Sequence, residues 1–254
     1  MFPAMAALMV HTHRSPRALV SLPWLVVAAV AGILSGPLQA RDFADSVVRI
    51  RAVAADGSQS RGSGVVIAAN LVATACHVTR EAKSIDVSRG TSRWAASVES
   101  GSAAHDLCLV SVANLDLPAV AIRRSESLKI GERVIAAGFP GGGELAVRDG
   151  MVEGLYPYDG GKVIRTSATF DTGSSGGGLF DEEGVLVGLL AFKARSGARL
   201  HFALPADWAL PGSMVSLQFG PVAVSTQRSA FWEQPRTSQP SFLGHAMLEA
   251  ASQR

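Results

Sequence analysis

The chain has 254 residues, 48% hydrophobic and 17% charged, with 23 Lys plus Arg against 21 Asp plus Glu and a formal charge of +2. Two of the basic residues, Arg14 and Arg17, fall in the first 40 positions, which hold no acid, so the remainder carries 21 charges of each sign and is neutral. That balance, without any Lys/Arg run, excludes the basic footprint of a nucleic-acid partner, and the apolar content excludes disorder of the whole chain.

In chain order, His11, His13, Arg14 and Arg17 precede residues 18–36, 19 positions without a charge, and Leu38-Gln39-Ala40 leads into the polar Arg41-Asp42. Positive, then apolar, then small is the order of an export signal, here over residues 1–40 with cleavage after Ala40. An uncleaved anchor over residues 18–36 is the alternative, and only that reading brings contact with a membrane. Pro23 and the Gly36-Pro37 break count against a sound spanning helix. Both readings place residues 41 onward outside the cytoplasm, periplasmic or secreted, where a cysteine pair can oxidise.

From Ser46 the apolar runs are short and rich in Val, Ile and Ala, at 47–53, 65–69, 71–75, 107–112, 134–137 and 185–191. Glycine-rich stretches, read as turns, separate them: Gly62-Ser63-Gly64, Gly141-Gly142-Gly143, Gly160-Gly161 and Gly176-Gly177-Gly178. With no helical spacing between 45 and 200, this texture predicts an all-β barrel or sandwich. After Pro211-Gly212 the composition turns to Ser, Gln, Thr and Pro, with Phe231 and Trp232 isolated among polar neighbours. Residues 213–254 therefore read as a tail or accessory segment with a short helix near its end.

Asp171-Thr172-Gly173-Ser174-Ser175-Gly176-Gly177-Gly178, after a strand-like run, sets a serine among glycines. A nucleophilic serine needs an exposed hydroxyl, backbone N–H groups turned toward a developing oxyanion and no bulky neighbours, and glycines meet the last two demands. Alone, such a loop is an ordinary turn more often than a site. His77, however, closes the run 71–76, and Asp106 opens the run 107–112, so base, acid and nucleophile all stand at strand ends in the order His, Asp, Ser.

At these residues the chain resembles the chymotrypsin-like serine peptidases, most closely the bacterial HtrA/Deg-type branch. Six collinear blocks carry the likeness between about Ser46 and Trp208. They are Gly62-Ser63-Gly64-Val65-Val66-Ile67, Ala73-Thr74-Ala75-Cys76-His77-Val78, Asp106-Leu107-Cys108-Leu109-Val110, Leu128 to Val134 with Gly138-Phe139-Pro140-Gly141, Gly173 to Leu179, and Phe202-Ala203-Leu204-Pro205. The resemblance implies two six-stranded antiparallel β-barrels, at about 45–125 and 133–210 of a peptidase domain spanning 41–212, with the active site in the cleft between them. It implies Ser175 as nucleophile, His77 as general base and Asp106 as its orienting acid, acting on protein or peptide substrates without a cofactor. The N–H groups of Gly173 and Ser175 would form the oxyanion hole. Leu190, Ala191 and Phe192 would form the edge that pairs with the substrate backbone.

Two departures from the digestive members matter. Ser174 stands where those enzymes carry an aspartate that captures a newly cut N-terminus, and no matching start occurs near residue 41, so no activation of that kind is expected. Thr169 stands at the floor of the specificity pocket and Leu190 where Glu-specific relatives carry histidine, which predicts a neutral side chain, small or medium and apolar, before the scissile bond. Cys76 lies next to His77 and Cys108 two residues after Asp106, so the two are brought into one neighbourhood; in an exported chain a bridge is expected, the alternative being two buried, unpaired thiols. His105 is read as facing solvent. His201 and His245 lack partners at metal-ligand spacing, so no metal is expected. With 42 residues after Gly212, fewer than the peptide-binding module common after such catalytic domains usually needs, regulation by such a module is not expected. The competing reading keeps the fold but not the chemistry: a silent peptide-binding or scaffold protein of the cell envelope. The sequence does not fix the oligomeric state.

Overall fold

Strands come from runs whose alternate residues face two different apolar environments. In the computed structural model, which describes residues 39–196, 198–213, 218–219 and 229–252, the first six are β1 (Val47–Ala54), β2 (Gln59–Ala68), β3 (Leu71–Ala75), β4 (Ala82–Arg89), β5 (Ser92–Ser102) and β6 (Leu107–Val112). They pair antiparallel in the order β4-β1-β2-β3-β6-β5, and a β4–β5 ladder closes the barrel. Six more, β7 (Arg133–Gly138), β8 (Ala146–Tyr158), β9 (Gly161–Thr166), β10 (Gly178–Phe180), β11 (Leu186–Ser196) and β12 (Ala198–Pro205), close a second barrel in the order β7-β8-β9-β12-β11-β10. The two six-stranded antiparallel barrels expected from the resemblance are both present. Apart from its last two positions, the expected export segment 1–40 lies outside the described residues. Among the described residues no helix is long and apolar enough to cross a membrane.

Val48, Ile50, Val66, Val72, Val87 and Val110 fill the first barrel, and Val134, Ala136, Val152, Ile164, Leu179, Leu190 and Ala203 fill the second. The intervening residues Val47, Val65, Ala73, Leu109, Ala137, Leu189 and Leu204 belong to a third apolar cluster together with Phe43, Phe180 and Trp208. Strands buried on both faces lose polar alternation, which is why the sequence shows unbroken Val/Ile/Leu runs. Gly62-Ser63-Gly64 is not the expected turn; it lies inside β2. Its glycines serve close approach instead, since a Cβ on Gly62 would meet Val78 Cγ1 at 2.5 Å and the Ser175 carbonyl oxygen at 3.1 Å.

The last segment packs onto both barrels. A two-residue strand, β13 (Gln218–Phe219), pairs with β5, and the expected short helix forms as α2 (Ser241–Ser252). Phe231, Leu243 and Ala246 are buried, and the Phe242 ring stacks on Tyr156 at 5.2 Å.

Candidate active site

The pairing of β3 with β6 brings His77 and Asp106 together. Its register sets Thr74 opposite Cys108 and Ala75 opposite Leu107, and the ladder continues one step as Cys76 N–H donates to the Asp106 carbonyl at 3.1 Å. His77 therefore emerges beside Asp106, not on a strand but on a single helical turn, α1 (Cys76–Thr79). Asp106 adopts a left-handed conformation, φ 53°, which Asp tolerates better than most residues. Its fully buried carboxylate accepts the His77 backbone N–H at Oδ1, 2.7 Å, and engages His77 Nδ1 at Oδ2, 2.6 Å. The bond to Nδ1 fixes that nitrogen as the donor and leaves Nε2 free to accept a proton.

Burial opposes charge on the imidazole, but the hydrogen bond and charge of Asp106, aided by Glu233, outweigh it and hold the His77 pKa above the ordinary histidine value. Burial likewise raises Asp106, with the bonds from His77 acting against that rise. Cys76 and Cys108 are joined in a disulfide, with Cα atoms 4.9 Å apart.

Ser175 lies in an irregular segment ahead of β10 rather than at a strand end. Several contacts seat this loop against the first barrel. The Ser175 carbonyl accepts Ser63 N–H at 2.8 Å, and Ser63 Oγ donates to the Gly173 carbonyl at 2.8 Å while accepting Phe139 N–H. A Cβ on Gly176 would strike Ser63 O, Thr74 Oγ1 and Ala75 N, so the backbone beside Ser175 touches the strand that leads into His77. Ser63 and Thr74, whose Oγ1 donates to Ser63 O at 2.7 Å, are buried and seat the Ser175 loop, and neither was among the residues singled out from the sequence. Their signal was the glycines on either side of Ser63, which mark close packing as readily as a turn.

Ser175 Oγ donates to the Ala191 carbonyl at 3.4 Å; among the described residues it makes no hydrogen bond to His77. No acceptor among the described residues takes the N–H of Gly173 or of Ser175. Ser174 is buried, and Gly138 packs so closely on it that a Cβ there would come 2.9 Å from the serine Cβ.

Next to Ser174 lies a cavity of about 40 Å³ lined by Ala136, Gly138, Thr169, Phe170 and Leu190, with the exposed Arg148 and Asp171 at its rim. Thr169 is exposed, so it lines the opening rather than the floor, and buried Leu190 and Ala136 supply the depth. The expected substrate edge also shifts. Both backbone groups of Leu190 are taken, its carbonyl by Gly176 N–H and its N–H by the Gly177 carbonyl. Ala191 is bulged out of register with β12, and β10 pairs no further along β11 than Leu189, so the open edge starts at Ala191. The Phe192 ring stacks on both Phe202 and Trp232.

His105 does not face solvent. Its side chain is 14% exposed, meets Asp159 Oδ2 and Ser102 Oγ through its two nitrogens and packs edge-on to Trp208. His201 is buried, and its Nδ1 accepts Phe170 N–H at 3.2 Å. Among the described residues no group of three His, Cys, Asp or Glu side chains could hold a metal ion.

Residues 62–189 match the family described as the trypsin-like peptidase domain. The chain belongs to this family. It is 35% identical over 162 residues to a probable periplasmic serine endoprotease, DegP-like, from Ectopseudomonas mendocina, a match covering 60% of this chain and 34% of that protein. The chain thus spans about a third of the length of the curated relatives it matches. Among solved structures, the HtrA-type protease AlgW with tripeptide is similar with a TM-score of 0.63 and 25% identity, covering 68% of this chain and 61% of that one. The active form of the Rv3671c protease from M. tuberculosis shares the fold with a TM-score of 0.64 at 24% identity, covering 88% of this chain and 99% of that one.

Proposed function

We propose that the chain is an exported serine endopeptidase that cuts peptide bonds through an acyl-enzyme. The observation that carries this reading is the His77–Asp106 couple at 2.6 Å, with the Ser175 loop packed by Gly62 and Gly176 against the element bearing His77. Ser175 Oγ swings from the Ala191 carbonyl toward His77 Nε2, which takes its proton as Oγ bonds to the substrate carbonyl carbon. The carbonyl oxygen, now negative, accepts hydrogen bonds from Gly173 N–H and Ser175 N–H; one such donor contributes on the order of a hundredfold or more to rate. His77 passes the proton to the leaving amine as the C–N bond breaks, and a water activated by the same imidazole releases the acid and restores Oγ–H. Asp106 holds Nδ1–H throughout and stabilises the imidazolium.

The small cavity beside Ser174 suits an apolar side chain about the size of alanine or valine. A peptide library is expected to rank such residues first before the scissile bond, and a profile led by Arg, Lys or Glu would overturn that preference. The N-terminal segment and the relatives named periplasmic support export. The contact of Ser175 with Ala191 instead of His77 is what a silent binding protein would also present. A fluorophosphonate probe separates the readings: labelling of folded protein, abolished in Ser175→Ala and His77→Ala, is expected, and no labelling of the folded wild type would favour the silent scaffold.

A further inference from the structure

On β11 the open edge begins at Ala191, whose carbonyl touches Ser175 Oγ, and the next residue is Phe192. A substrate strand placed there, with one side chain in the cavity beside Ser174, sets its preceding side chains against the Phe192 position. The Phe192 ring is already engaged, stacking on Phe202 at 4.8 Å and 9° and on Trp232 at 4.3 Å and 15°. Trp232 is only partly buried, whereas Phe202 is fully buried.

Trp232 sits in a turn tied down on three sides. Phe231 is 1% exposed, packs at 4.8 Å on Tyr158, and donates its N–H to the carbonyl of Ala104, two residues from Asp106. Glu233 N–H donates to the Ala230 carbonyl at 2.8 Å, and its Oε2 accepts from Arg80 Nη2 at 3.0 Å, three residues past His77. The connection from β5 to β6 is a single short turn, Ala103–His105, and the tail turn occupies the space beside it. The cavity beside Ser174, by contrast, has no lining residue from this turn, and His77 keeps 30% of its side chain exposed. The turn therefore borders the cleft without covering the reacting groups.

We infer that residues 230–233 form the cleft wall on the N-terminal side of the scissile bond, with the Trp232 indole contacting apolar substrate side chains upstream of the cut. This specificity role rests on the peptidase reading above. Apolar and aromatic side chains gain most from such a flat ring surface.

The test uses the mature chain and fluorogenic peptides that share a small apolar residue before the cut and carry Phe, Val, Ala or Glu one to three positions further upstream. Trp232→Ala is expected to lower kcat/KM about tenfold for the Phe and Val peptides, mainly through KM, and little for the Ala and Glu peptides. Trp232→Phe restores most of the preference, and fluorophosphonate labelling, which needs no upstream residue, keeps its wild-type rate. Equal losses on all four peptides, or none, would overturn the wall, as would a gain in activity, which would make the turn a lid. The same peptides titrated onto Ser175→Ala and Ser175→Ala/Trp232→Ala proteins read the contact without chemistry. A lost Phe/Val preference in binding alongside an unlabelled wild type would leave the wall standing and remove the peptidase reading.

Discussion

At the scale of single residues, the proposed chemistry depends on His77 being neutral when Ser175 attacks. Asp106, through a 2.6 Å bond, and Glu233, through its charge, raise the His77 pKa against the effect of burial. The neutral base is lost as pH falls through that raised value, so the acid limb of kcat/KM is expected above the ordinary histidine pKa of about 6.5. Glu233→Gln removes one of the raising charges and should move the limb to lower pH, while Asp106→Asn should cost roughly 10³- to 10⁴-fold in kcat. A limb that stays put in Glu233→Gln would show that this carboxylate does not act on the base. Gly176 offers a second residue-scale test: with φ 82° and the Ser63 carbonyl 2.3 Å from a Cβ placed there, Gly176→Ala has neither the conformation nor the space. Labelling by the fluorophosphonate should disappear in this variant although no reacting group is altered.

At the scale of elements, the β3–β6 ladder explains why His77 and Asp106, proposed as base and acid, come together. Ala75 pairs with Leu107, so residues just past the two strand ends, 29 apart in sequence, must meet. Ser175 was legible for another reason, the glycines required by its loop. Long strands were harder to see. β5 carries mostly polar, solvent-exposed positions around Trp94, Ala96 and Val98, and β8 is interrupted by Gly150, Gly154 and Pro157, so neither presents an apolar run. The open edge of β11 starts one residue later than expected because which backbone groups of Leu190 are free depends on Gly176 and Gly177, contacts across the barrel that no local pattern encodes. The disulfide straddles the same ladder, closing a loop of 32 residues by sequence separation. The paired change Cys76→Ala/Cys108→Ala is expected to lower unfolding free energy by about 2–4 kcal/mol, read from urea melts at constant m. Because strand pairing and the Asp106 bonds already set the geometry, kcat in the folded variant should fall by less than tenfold.

At the scale of the whole molecule, two barrels with independent cores are joined by a third apolar cluster, and the C-terminal segment extends that cluster outward. Phe180 and Trp208 belong to it, and so do Phe231, Phe242, Leu243 and Ala246. Isolated aromatics in a polar tail gave the sequence little to distinguish docking from a free end, because the partners of Phe231, Tyr158 and Phe192, lie 73 and 39 positions earlier in the chain. A fully buried Phe truncated to Ala typically costs about 3–5 kcal/mol, from lost transfer energy and the cavity left behind. Phe231→Ala is therefore expected to lose about that much in urea unfolding, provided the second barrel and the tail unfold as one cooperative unit. A loss below about 1 kcal/mol would mean that the segment detaches before the barrels unfold. The same variant separates stability from the cleft wall: at temperatures where it remains folded, detachment of the turn should reproduce the loss of upstream apolar preference seen in Trp232→Ala, because Phe231 is the buried anchor that holds Trp232 against Phe192.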